Sequence, residues 1–173
     1  RDIFYLKEAT HSKDGGRMVI VLPKQNLSGA QEESVEFRKW LLNKVQIVAV
    51  VDLPREAFQP HTGTKTSLVF LKKVKQIPEE YPIFMAVSEA VGHDRRGNPL
   101  YKKDSSGMNL KDEHDNFVIW NDLPQILSQW KNYILTGSVM ELADEEGKAP
   151  SCFVISSKHI MDDPSRRIDA WYW

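Results

Sequence analysis

Cysteine is almost missing from this chain: its 173 residues hold one, Cys152. A lone cysteine allows no internal disulfide. That excludes a disulfide-stapled secreted module and fits a reducing compartment, the cytoplasm. Long apolar runs are missing too. No stretch reaches the roughly 18 residues of a membrane-spanning helix, and no signal-peptide pattern is read at the start. An excess of one charge is missing as well: Lys and Arg number 23 against 24 Asp and Glu, a net charge of -1. This balance excludes a strongly basic tail that holds nucleic acid by charge alone, but leaves room for a local basic surface. The five histidines, His11, His61, His93, His114 and His159, stand at no metal-ligand spacing, so no metal site is expected. Neither G-x-G-x-x-G after a strand nor a Walker A loop occurs. Gly15 and Gly16 precede a strand and read as a turn. No internal repeat and no heptad pattern is visible.

What is present is a chain able to bury a core, with 41% hydrophobic and 27% charged residues. Residues 2–10 read as the last turns of a helix, and RMVIVLP at 17–23 as a short buried strand. KQNLSGAQ at 24–31 reads as a loop. Phe37, Leu41 and Val45 recur at spacing four, predicting a helix over 32–44 with Glu32 and Glu33 at its positive end. VQIVAVVDLP at 45–54 is almost continuously apolar, as in a strand covered on both faces. TSLVFLKK at 66–73 is the next strand. Further on the pattern weakens. Residues 83–92 read as a strand running into a turn, 93–116 as irregular, 122–134 as a helix capped by Asp122, and 152–160 as one more strand. The divisions drawn from this pattern are 1–75, 76–149 and 150–173. The starting RDIFYLKEAT and closing RRIDAWYW suggest a fragment of a longer protein.

The connector DLPREAFQPHTGTKT raises the functional question. It is too long for a hairpin, and Pro54, Pro60 and Gly63 oppose a crossover helix. The strands on either side are therefore expected to run antiparallel, with one reversed strand near an edge of an otherwise parallel sheet. The loop 53–65 then leaves the carboxyl end of a strand, the rim where open α/β sheets bind ligands. Phe58 in this loop has two readings: an aromatic tucked back over the core, or a plate for a ligand. HDRRGNPLYKK at 93–103 likewise reads as a solvated turn or as a phosphate-contacting surface. Cys152 lies in an apolar run and reads as a core residue.

GGRMVIVLP, the long segment FRKWLLNKVQIVAVVDLPREAFQPHTGTKTSLVFLKK and VSEAVGHDRRGNPLYKK together resemble the later half of the catalytic domain of N6-adenine DNA methyltransferases. The likeness is to the modification subunit of type I restriction systems and to fused type IIG-like restriction–modification enzymes, over roughly residues 1–103. RRIDAWYW is similar to the phrase that opens target-recognition regions. The resemblance implies an α/β fold: the C-terminal half of a Rossmann-like S-adenosylmethionine-dependent methyltransferase sheet with an antiparallel last strand, plus a small mixed extension. It implies that Phe58 stacks on a flipped target adenine. It also makes Lys24, Arg55, Lys65, Thr66, Arg95 and Arg96 candidate DNA contacts. The parent enzyme would use S-adenosylmethionine, act on duplex DNA, and work with specificity and restriction subunits or fused domains. The family's glycine-rich cofactor turn and its N/D-P-P-Y/F tetrapeptide are not in this sequence. No cofactor is therefore expected on the piece itself, which would be inactive alone and could self-associate through exposed sheet surface. The alternatives are a non-catalytic structural or DNA-positioning module, and an unrelated α/β protein.

Overall fold

In a computed structural model the described residues are 13–140 and 151–173. They form two compact units. The first joins the described residues up to Asp52 with Thr66–Val87 and Cys152–Trp173; the second joins Leu53–Lys65 with the segment from Ser88 onward.

The first unit is a five-stranded mixed sheet with helices. Strand β1 is Arg17–Pro23, β2 is Gln46–Asp52, β3 is Thr66–Lys72, β4 is Pro82–Val87 and β5 is Ser151–Ser156. Their order is β1-β3-β2-β4-β5. Strand β3 runs against both β1 and β2, and β4 runs parallel to β2. The antiparallel pairing of β2 with β3 is the one the connector length predicts, and the single reversed strand among β1–β4 lies between β1 and β2. Strand β2 is buried at five of its seven positions, as its unbroken apolar sequence demands. At one end of the order, β1 leaves Val19 and Val21 exposed by 54% and 43%.

The predicted loop after β1 contains a one-turn helix, α1 (Lys24–Ser28). Helix α2 follows as Glu32–Leu42. Leu41 and Leu42 enter the core with Leu22, Leu27, Ile47, Val50 and Val69. The predicted strand 152–160 is cut short. Ser156 Oγ accepts from the Lys158 amide and starts helix α4 (Ser157–Asp162). Ile160, Ile168 and Ala170 complete the same core.

The second unit holds helix α3, Leu123–Thr136, closed by Gly137 in the left-handed region at φ 76°. Asp122 precedes it but does not cap it. Its carboxylate instead accepts from Ser88 Oγ and from the amides of Glu89 and Ala90, while Asn121 Oδ1 takes the Leu123 amide.

Residues 91–121, of which 93–116 are expected to be irregular, contain a short repeat where none is expected. Asp94, Asp104 and Asp112 each accept through Oδ1 from the amides two and four residues on. The residue three on, Gly97, Gly107 or Asp115, has positive φ in every copy. Between the tips the backbone closes in triangles. Gly92 donates to Trp120, Trp120 to Leu100 and Leu100 to Gly92; Lys102, Val118 and Leu110 repeat the cycle. The spacing D-x-x-G in HDRRGN and KDSSGM was the available signal. The third copy hides it, because Asp115 takes the glycine position.

Candidate functional site

The carboxyl ends of β1 and β2, with the start of β3, gather a polar cluster within the first unit. Asp52 ends β2 and is 2% exposed. Its Oδ1 accepts the Ser67 hydroxyl at 2.5 Å, and its Oδ2 accepts the Trp171 amide at 3.0 Å. Burial pushes the Asp52 carboxyl upward, against the pull of these two donors. Asp169 is fully buried. Arg167 meets it with two hydrogen bonds, at 3.0 and 2.8 Å, and Lys24 Nζ lies 3.6 Å away. Lys24 also stands over the Trp171 ring at 5.7 Å, and the Arg167 guanidinium over Tyr172 at 4.1 Å.

The closing segment is held by a buried cation. Arg38, on α2, is fully buried and, among the described residues, bonds only to carbonyls: Ser165 through Nε and Nη2, Asn26 through Nη1 and Gly29 through Nη2. Desolvation lowers its pKa, and the charge of Asp169 opposes that shift. Residues 163–167 repeat the turn of the second unit. Asp163 takes the Arg167 amide at 2.8 Å, and Arg166 adopts φ 53°.

The loop leaving Asp52 belongs to the second unit. Arg55–Phe58 form one 3-10 turn, and the Gln59–Pro60 bond is cis. Phe58 is 38% exposed, so its ring is not sealed in a core. Arg55 is exposed and Lys65 half-buried. Arg95 and Arg96 are exposed at the tip of the first Asp-capped turn of the same unit. Of the remaining candidates, Lys24 joins the Asp169 cluster. Thr66 is buried in β3 opposite Pro23, and its Oγ1 finds no partner.

Sequence reading missed Asp52, Ser67, Asp169, Arg38 and Arg167. For Asp52 a signal existed: an acid directly after AVV at a strand end, where a buried carboxylate needs donors. Arg38 gave none, since an arginine in a helix normally faces solvent.

A family model described as N-6 DNA Methylase matches residues 2–134. The chain belongs to this family. Solved structures add the fold. A structure reported for complex assembly and conformational transition of the type I R-M system superposes with a TM-score of 0.58 at 20% identity, over 98% of this chain and 31% of that one. The type I restriction-modification methyltransferase subunit from Streptococcus thermophilus gives 0.55 at 21% identity, over 98% and 29%. The EcoKI M protein gives 0.54 at 12% identity, over 98% and 37%. This N-6 DNA methylase chain thus spans about a third of the length of the structures it matches. Among curated proteins there is no match. No helix among the described residues is long and apolar enough to cross a membrane.

Proposed function

We propose that this chain supplies one wall of the target-base pocket of a site-specific adenine-N6 DNA methyltransferase in a restriction–modification system. The observation that carries the reading is Phe58. It is an exposed ring on a short 3-10 turn, in a loop that leaves the carboxyl end of a strand, in an N-6 DNA methylase. A target atom inside a duplex is out of reach, so the enzyme extrudes the base and must hold it. Phe58 stacks on the extruded adenine and restrains its plane while the amino nitrogen is methylated. Arg55 and Lys65 in the same loop, and Arg95 and Arg96 at their turn tip, contact the phosphate backbone; Lys24 serves the Asp169 cluster instead. Thr66, being buried, serves β3 instead.

S-adenosylmethionine, when bound in the parent enzyme, supplies an electrophilic methyl group. The described residues do not fit it. The two carboxylates near the rim that could take a ribose, Asp52 and Asp169, are held by Ser67, Trp171, Arg167 and Lys24. The donor is therefore bound by residues other than the described ones, in a cytoplasmic assembly with specificity and restriction components as further subunits or fused domains.

The test is Phe58→Ala and Phe58→Trp in the complete methyltransferase, scored by methyl transfer to duplex DNA carrying the target site. Base–aromatic stacking contributes about 1–3 kcal/mol. The Ala variant should lose about 5- to 150-fold in kcat/KM, and the Trp variant should keep most of it. An Ala variant with full activity removes the stacking role.

A further inference from the structure

We infer that Asp52 is a positioning residue for the loop that carries Phe58, acting by joining the two strand ends from which the loop leaves to the closing segment 163–173. The inference rests on the reading of Phe58 given above. Its geometry is independent of that reading. Asp52 and Ser67 face each other in the β2–β3 register, and the loop leaves directly after one and returns just before the other. Their 2.5 Å hydrogen bond therefore joins the loop's two feet. The second carboxylate oxygen takes the Trp171 amide, so the same side chain is bonded to both strand ends and to the closing segment. That segment is fixed elsewhere on this rim: the Ile168 amide donates to Leu27, and Asp169 pairs with Lys24.

A carboxylate is an expensive way to fill this position. Its neighbours in β2, Val50 and Val51, show what packing alone selects. Burying an acid on a hydroxyl and an amide costs free energy that a valine would not. What the acid adds is two directed bonds at a 2%-exposed site, which hold the ends of β2 and β3 together and to the closing segment. A ring held about 1 Å from its place would stack poorly on the base, and errors of that size cost on the order of a hundredfold in rate.

The experiment uses Ser67→Ala, Asp52→Asn and Phe58→Ala in the complete methyltransferase, with the double variant Phe58→Ala/Ser67→Ala. Hydrogen exchange reads the loop directly. Ser67→Ala, the milder change, should speed exchange of the loop amides, with β2 and β3 amides unchanged. Methyl transfer to target duplex should fall about tenfold or more for both rim variants. The loss should lie in kcat, with KM for DNA moving less than about twofold. The double variant should be no slower than Phe58→Ala alone, because the rim acts through the ring. Unchanged loop exchange in Ser67→Ala overturns the proposal, as does a loss that multiplies with that of Phe58→Ala. If Phe58→Ala is fully active, the stacking reading fails by itself, and the exchange result alone decides whether Asp52 positions the loop. Should Asp52→Asn not fold, Ser67→Ala carries every arm.

Discussion

Replacing Arg38 with methionine keeps an unbranched apolar stem and removes the charge and every donor. The guanidinium makes four hydrogen bonds, of 2.7 to 3.0 Å, to the carbonyls of Ser165, Asn26 and Gly29. A hydrogen bond to a charged group contributes about 1.5–3 kcal/mol, so four would exceed about 6 kcal/mol. Against this stands the cost of taking the cation out of water, several kcal/mol. Removing it also strands three carbonyls in a site where Arg38 is fully buried. The balance is a loss of about 3–5 kcal/mol, a large part of the roughly 5–15 kcal/mol that holds a domain folded. Because the Ser165 bonds bridge 127 positions of sequence, the closing segment should detach first. Trypsin should then cut at Arg166 and Arg167 before global unfolding. Thermal melting should fall by about 10 °C. Arg38→Lys should recover little, since one ammonium cannot span three divergent carbonyls. A methionine variant that melts within about a degree of the parent and resists trypsin at these sites would refute the reasoning.

Two further outcomes follow from the same unit. At Gly29 an added Cβ would sit 2.5 Å from the Gln25 carbonyl, and Gly29's own carbonyl receives Arg38. Gly29→Ala should therefore destabilise by about 1–3 kcal/mol in urea denaturation, although φ at this position, -61°, suits any residue. Asp52 gives a pH signature. Its folded pKa lies above the ordinary 3.8, so the folded state holds its proton more tightly than the unfolded chain does. The associated stability is fully present below 3.8 and is lost as pH rises through the raised value. Relative to Asp52→Asn, the parent should lose stability from about pH 4 upward in parallel melts, and a flat difference would contradict this.

The sheet was legible because its strands are written plainly. RMVIVLP, VQIVAVV and TSLVFLKK are short, apolar and rich in β-branched residues, and prolines in the connector ruled out a crossover helix. The place of the loop at a strand's carboxyl end followed from that topology, and the family likeness followed from segments in order. The polar cluster was not legible in the same way. Asp52 and Trp171 are 119 positions apart, and Arg38 and Ser165 are 127 apart. No local period encodes such meetings; they depend on where the closing segment lands. The α1 turn was missed because KQNLS has no apolar stripe. The cap of α3 was misjudged because Asp122 has better donors in Ser88, Glu89 and Ala90 than in its own helix.

The three Asp-capped turns of residues 91–121 have a consequence for how this surface can change. Each turn is closed by its own aspartate, and the residue with positive φ completes it. The two positions between them enter that closure mainly through the backbone: Arg96 and His114 each give an amide, and Ser106 gives its amide and its hydroxyl, which donates to Asp104 Oδ1 at 2.6 Å. They hold Arg95 and Arg96 in the first copy, Ser105 and Ser106 in the second, and Glu113 and His114 in the third. One scaffold thus presents a basic, a neutral and an acidic tip without any change in its frame. Such tips are exchangeable parts: their charge can be rewritten two residues at a time, while the aspartate and the residue with positive φ keep the turn.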